Sequence, residues 1–452
     1  MWAYDRGIPN MQSRSQFRST SVPVLLWLVV IPFIQGVEFH RNTLFVNGYW
    51  IDHWLLDYSH GFVRRGFWGT FLNLMGGWQH NILFVNLLAL LVALLIISVL
   101  LRQLMRAFPV TDAVSLAFIA AFILSPLTSL FFECLGDPVQ LTVLMALGAI
   151  PLLSREAYPL FWRAAIAIGV MTVSMLIHEA SLFTSGPVFV WLLAGPATRG
   201  VSLKNVSFAK AAAILSLVAI VIATVYVIDS RGTITAEKRA SLLPRMVTQA
   251  EIVPLHYHTE ADSLLMMSIK AEYDEGGPFS PPALMDGCSY CGWAPGRWLF
   301  PIEKFVRVFA IPFLFCNLLL WTCAYHGTGA HEGLSRRFLQ MVILGFACSV
   351  PLYFVAADWG RFSIYTVCLS LYAAGVSAGV AGVRDSDAGP LMGSALSRRV
   401  LYLFVLILMI YPIHRFYRVS GLTYPALLCF LFVLPAVLGM RWRTGWVPNK
   451  ID

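Results

Sequence analysis

Apolar residues run along this chain in long stretches with few interruptions, not in the three-and-four spacing of a soluble amphipathic helix. Leu83–Leu101 and Ala211–Ile228 hold no charged residue at all. Twelve such stretches are predicted as membrane helices: Val22–Val37, Leu83–Leu101, Val114–Phe131, Val139–Leu153, Ala164–Ile177, Ala180–Ala194, Ala211–Ile228, Val306–Cys323, Phe338–Ala357, Phe362–Val383, Val400–Phe416 and Leu422–Met440. Several fall short of the ~20 residues that cross a ~30 Å hydrocarbon core, which predicts tilted or re-entrant pieces among them. The expected fold class is therefore all-α, a polytopic helical membrane protein of about 12 transmembrane segments. Its expected parts are an N-terminal bundle (1–228, with a first outer loop at 38–82), a cap or loop outside the membrane (229–303) and a C-terminal bundle (304–452).

The pattern is most ambiguous over Ala164–Ala194, where only His178-Glu179 breaks the apolar run. One long helix and two short arms both fit the hydropathy. Basic flanks stand at both ends, Arg155 and Arg163 before, Arg199, Lys204 and Lys210 after, which favours two passes folded at His178-Glu179. Each arm would be only ~22 Å long at ~1.5 Å per residue, so the turn should sit below the membrane surface, enclosed by protein or lining a wet cavity.

Composition agrees with a membrane class: 58% of the 452 residues are hydrophobic and 12% charged, with a mean hydropathy of +0.71, far from soluble domains. The net charge of +8 comes largely from Lys and Arg beside the spans and gives no argument for nucleic acid. With the N-terminus inside, eighteen basic residues fall on inner loops and termini and six, including Arg64, Arg65 and Arg361, on short outer loops. That bias predicts both termini in the cytoplasm. No small-residue cleavage site follows Val37, so the first span is expected to be retained. The lack of an outer glycosylation sequon leans toward a bacterial inner membrane.

Six of the eight cysteines lie in or beside apolar spans and read as small buried residues. Cys288 and Cys291, in Cys-Ser-Tyr-Cys within the long outer segment, are expected to form a short disulfide. A redox pair lacks a thioredoxin-like context, and zinc would need a second ligand pair, so no metal ligands are assigned. The surrounding segment Asp229–Glu303 carries seven prolines and is expected to fold as a lid.

Candidate chemistry gathers on the outer side. The first outer loop interleaves Asp52, Asp57, His53, His60, Arg64 and Arg65 with Trp50, Trp54, Tyr58 and Trp68. Aromatic rings suit both the headgroup level and sugar stacking, and paired arginines suit phosphate. An interfacial helix with an aromatic belt is the simpler alternative. Glu133 and Asp137 flank the turn between the third and fourth stretches, and Asp137-Pro138 also has the form of a helix start. His178-Glu179 sets a base beside a carboxylate in a buried turn. Asp358-Trp-Gly-Arg361 closes another outer turn, either as a plain salt bridge or as a place where Arg361 meets an anion. No nucleotide-binding loop, HExxH or GxSxG occurs, which disfavours nucleotide hydrolysis, zinc proteolysis and ordinary serine hydrolysis.

An acidic first outer loop, many spans and a large outer segment late in the chain resemble the membrane-embedded glycosyltransferases of the GT-C superfamily and, more loosely, bacterial polysaccharide polymerases. The resemblance implies a transferase using a polyprenyl-phosphate-linked sugar. Asp57, or Asp52, would be the catalytic base, with His178 or Glu179 as orienting groups. Arg64, Arg65, Arg361, Asp358, His60, Glu133, Asp137 and Trp54 would line the substrate and phosphate site. A divalent metal bridging carboxylate and phosphate fits this chemistry without being required by it. The expected partners are the bilayer and a lipid-linked glycan. Two other classes stay open: a transporter or flippase of an anionic lipid-linked substrate, and a non-catalytic envelope-assembly protein.

Overall fold

A computed structural model describes residues 29–30, 33, 54, 57–59, 61–62, 65–78, 81–107, 119–120, 122–123, 126–195, 206–232, 344 and 359–380. Among the described residues the protein is all-helical, with nine helices and no strand: α1 (Phe67–Leu74), α2 (Ile82–Ala107), α3 (Pro126–Glu133), α4 (Pro138–Leu153), α5 (Leu160–Ile177), α6 (Ser181–Thr184), α7 (Gly186–Ala194), α8 (Phe208–Gly232) and α9 (Trp359–Val380). Three of them contain segments long and apolar enough to cross a membrane: Leu83–Met105, Leu160–Ile177 and Phe208–Ile228. The expected spans at 306–323, 400–416 and 422–440, and the cap at 229–303 apart from its first residues, lie outside the described residues.

Helix α4 is the axis around which α2, α5, α7 and α9 pack. It is buried on nearly every side, from Val139 at its start to Leu153 at its end. An apolar helix of this kind cannot be placed by an amphipathic stripe and has to be enclosed. The outer members differ. On α2, Val85, Ala89, Val92, Ala93, Ile96 and Leu100 face inward, while Leu83, Leu87, Leu91, Leu94 and Leu95 are exposed on the opposite side. On α8 the exposed residues include Leu215, Ile222 and Tyr226. Large apolar faces turned outward from a packed bundle are what hydrocarbon would cover.

Hydrogen bonds fix the directions of the helices. Arg163, in the first turn of α5 and only 6% exposed, donates through Nε to the carbonyl of Leu153 at 2.7 Å and through Nη2 to that of Leu192 at 2.6 Å. The ends of α4 and α7 therefore meet at the start of α5. The stretch after Ile177 must turn back, because α7 finishes where α5 began. The two-arm expectation for Ala164–Ala194 is thus what the chain does, reversing at His178-Glu179. Arg163, read from sequence as a membrane flank, is instead a buried cap on two helix C-termini, whose orphan carbonyls and negative dipole ends favour a guanidinium.

The return arm is not one helix. His178 is extended (φ −161°, ψ 121°) and stops α5. A single turn, α6, follows, and Ser185 separates it from α7, which carries Pro187 in its first turn. Proline cannot donate to the turn before it, so it starts α7 more readily than it continues α6.

Candidate functional site

Four discontinuous segments come together at the end of the bundle where α4 begins and α5 finishes. The first is the segment that includes Trp54, Asp57–Ser59, Gly61, Phe62, Arg65 and Gly66. Its Trp54 indole, 1% exposed, donates to the Gly136 carbonyl at 2.6 Å and meets Trp68 edge-on. Trp54 is therefore an anchor that clamps this loop onto the turn before α4.

Asp57 is buried, and its carboxylate is already well supplied with donors. Oδ1 accepts the Ser59 backbone N–H at 2.9 Å and a short hydrogen bond from the Ser59 hydroxyl. Oδ2 accepts from Asn73 Nδ2 of α1 at 3.2 Å. The Asp57–Ser59 pairing is a local turn in which the side chain takes the place of a backbone acceptor. Thr70 closes the same loop by accepting the Tyr58 N–H at 2.7 Å and donating to the Gly66 carbonyl at 2.6 Å. A carboxylate held in this way is oriented, with Oδ2 the less occupied oxygen.

Arg65 reaches across to the second segment. Its Nε donates to Glu179 Oε2 at 3.0 Å and its Nη2 to Oε1 at 2.5 Å. This forked pair joins the first loop to the tip of the α5–α7 reversal, 114 residues away. Both side chains are largely buried, at 9% and 18% exposure. Arg65 also has φ +62°, a left-handed conformation that costs a side-chain-bearing residue about 1–2 kcal/mol and persists where surrounding contacts hold it.

His178 takes a different role from the one its position suggests. Its Nδ1 accepts the Ala180 N–H at 3.2 Å, which places the imidazole proton on Nε2. The 4.0 Å approach of Nδ1 to Glu179 Oε2 then sets acceptor against acceptor and is no hydrogen bond. The Glu179 carboxylate takes its forked hydrogen bonds from Arg65 and not from its neighbour His178. The His178 ring lies 6.3 Å from that of Phe362, in the first turn of α9.

The turn between α3 and α4 supplies the third segment. Asp137 caps α4 by accepting the Val139 N–H at 3.0 Å, with Pro138 in the first helical position. It also accepts a hydrogen bond from the Tyr365 hydroxyl of α9 at 3.1 Å. Gln140 braces the same turn through the carbonyls of Phe131 and Cys134. The helix-start reading of Asp137-Pro138 describes what these residues do, and Tyr365 is a partner that sequence reasoning missed.

Among the predicted site residues, the structure thus gathers Trp54, Asp57, Arg65, Asp137, His178 and Glu179 at one end of the bundle, beside the start of α9. Arg361 sits in the first turn of α9 and Glu133 in the last turn of α3 by backbone position. Asp52, His60, Arg64, Asp358, Cys288 and Cys291 lie outside the described residues. Ser59, Asn73 and Thr70 were not singled out from sequence, and their short polar side chains beside Asp57 were the available signal. Among the described residues no group of three or more His, Cys, Asp or Glu side chains is placed to hold a metal ion. No family model, curated relative or solved structure matches this chain.

Proposed function

We propose that the protein is a membrane-embedded transferase that acts at the extracytoplasmic face on a polyprenyl-phosphate-linked sugar or oligosaccharide in cell-envelope polysaccharide biosynthesis. The observation that carries this reading is the largely buried Arg65–Glu179 fork, which ties two discontinuous polar segments together in a bundle whose buried residues are mostly apolar. Ionised groups at membrane depth are costly to keep, and they mark substrate sites far more often than they serve as scaffolding.

In this reading Asp57, presented through Oδ2, accepts the proton of an acceptor hydroxyl as its oxygen attacks the sugar's anomeric carbon. The bond from that carbon to the lipid phosphate breaks, and the phosphate leaves with the electron pair. Arg64 and Arg361 stabilise its charge. Arg65 is a positioning residue, because its guanidinium is committed to Glu179 and holds the hairpin tip against the loop. A lipid-linked donor suits a site built into a bundle, since the lipid can approach from the bilayer.

The test is product formation by purified protein in lipid, supplied with a polyprenyl-phosphate-linked sugar and an acceptor glycan. Release of lipid phosphate by the wild type and its loss in Asp57→Asn is expected. No release by either protein would remove the transferase reading, and equal release by both would remove Asp57 as base. The broken α6–α7 arm favours one second reading, transport of an anionic lipid-linked substrate, because discontinuous helices commonly form transporter binding sites. Movement of intact donor across the bilayer without glycan product would select it.

A further inference from the structure

Hydroxyl side chains in apolar helices ordinarily satisfy themselves by donating back to a carbonyl of their own helix. This protein does so repeatedly: Ser154 donates to Ile150, Ser216 to Ala212, Thr224 to Ile220 and Thr366 to Phe362. Five serines break that rule. The hydroxyls of Ser174, Ser181, Ser185, Ser370 and Ser377 are buried and find no hydrogen-bond partner among the described residues, and each of these residues is 0% exposed.

Their placement is not scattered. Ser174 lies one turn before His178, whose N–H bonds to the Ser174 carbonyl at 2.8 Å, and Ser181 N–H bonds to the His178 carbonyl at 3.0 Å. Ser185 is the break between α6 and α7. These three therefore flank the reversal at His178-Glu179 along the chain, one on α5 and two on the return arm. On α9, which packs against α6 and α7, Ser370 and Ser377 are seven residues apart and share a face. At about 100° per residue that face lies roughly 60–80° from Phe362, the residue beside His178. It is turned away from Gly375, where an added Cβ would meet Gln103 of α2. Leaving a buried hydroxyl unmade costs about 1–3 kcal/mol each, so five together amount to a penalty comparable with a domain's whole stability unless something satisfies them.

We infer that the reversal tip and the serine face of α9 bound a water-binding tract running from the Arg65–Glu179 pair into the bundle between α6, α7 and α9. Water is the ligand whose size and paired donor and acceptor capacity match short hydroxyls beside a helix break. The break at Ser185-Gly-Pro187 lies beside these hydroxyls, and Pro187 has no N–H to donate to the carbonyl one turn earlier. The inference is independent of the transferase reading: a hydrated tract would serve transport equally, and its absence would leave the transfer chemistry at Asp57 untouched.

Cysteine reactivity tests it, because only the thiolate reacts and a thiol in a dry core stays protonated. Ser181→Cys, Ser185→Cys and Ser370→Cys, in full-length protein in lipid nanodiscs, would be treated with a small charged methanethiosulfonate and mapped by mass spectrometry. Ala93→Cys and Ala146→Cys, equally buried on α2 and α4, serve as dry controls. Modification of the serine positions at least about tenfold faster than the controls is expected, as for thiols with access to water. Rates equal to the controls in monodisperse protein would overturn the inference. Radiolytic hydroxyl-radical footprinting of the unaltered protein gives a second reading. Oxidation of buried Met171, whose methyl group packs 3.7 Å from the Cβ position at Gly186, supports the tract, and its full protection contradicts it.

Discussion

Replacing Glu179 with glutamine removes the charge that this carboxylate sets against the largely buried Arg65 guanidinium. The pair is forked, with contacts of 3.0 and 2.5 Å, and exposures of 9% and 18% leave little room for water or salt to compensate. Breaking a buried pair by removing one partner costs about 3–5 kcal/mol. The partial exposure of Glu179 places the expected loss near the lower figure, about 3 kcal/mol, or roughly 3 °C in apparent melting temperature for a chain of this length. Arg65→Gln should cost a similar amount by removing the cation that forks onto the Glu179 carboxylate. The double variant should lose less than the sum, with a coupling of about 1–3 kcal/mol, because both members of the forked pair are then removed together. Melting midpoints in one detergent, followed by the loss of monodisperse protein, give all four corners of the cycle. Additive losses within about 0.5 kcal/mol would refute the pairing and with it the contact between the first loop and the reversal tip.

Three further outcomes follow from the same geometry. Arg65→Gly should be less destabilising than Arg65→Ala by about 1 kcal/mol, since glycine adopts φ +62° without a Cβ penalty; a thermal midpoint for the glycine variant below that of alanine would contradict this. Arg163→Ala removes two charge-assisted hydrogen bonds to helix-end carbonyls and should cost about 3–5 kcal/mol; Arg163→Lys should recover only part, because one ammonium lacks the planar fork that serves both carbonyls. Tyr58, whose buried hydroxyl lacks a hydrogen-bond partner among the described residues, has its pKa pushed up by burial to about 12 from 10.0. The folded state therefore favours the neutral phenol, and its contribution to stability is intact below pH 10 and is lost as pH rises toward 12. A phenolate absorbance difference between wild type and Tyr58→Phe that titrates near pH 10 would refute this.

Much of the local structure was legible before any contact was known. Uninterrupted apolar runs marked α2, α4, α5 and α8, because helices surrounded by apolar material need no polar face. Asp137-Pro138 announced the start of α4 through a cap and a proline that nearby backbone atoms alone decide. His178-Glu179 marked the reversal because an isolated polar pair interrupts hydrophobicity there, although hydropathy could not distinguish a bend from a continuous helix.

What lay beyond the sequence were the partners. Arg65 was placed in a phosphate site and proved to hold Glu179, and Arg163 was read as a membrane flank and proved to bind two carbonyls, one of them 29 residues away. Tyr365 finds Asp137 across 228 residues. Hydrophobicity, capping and turn chemistry act over a few residues, so they are written in the order of the chain. Which charge meets which depends on how α5, α7 and α9 are arranged around α4, and an apolar helix buried on nearly every side carries no stripe that announces its neighbours. The sequence sufficed to make the helices and to gather polar residues in the segments between them; only the packing around α4 turned those residues into a joined set at one end of the bundle.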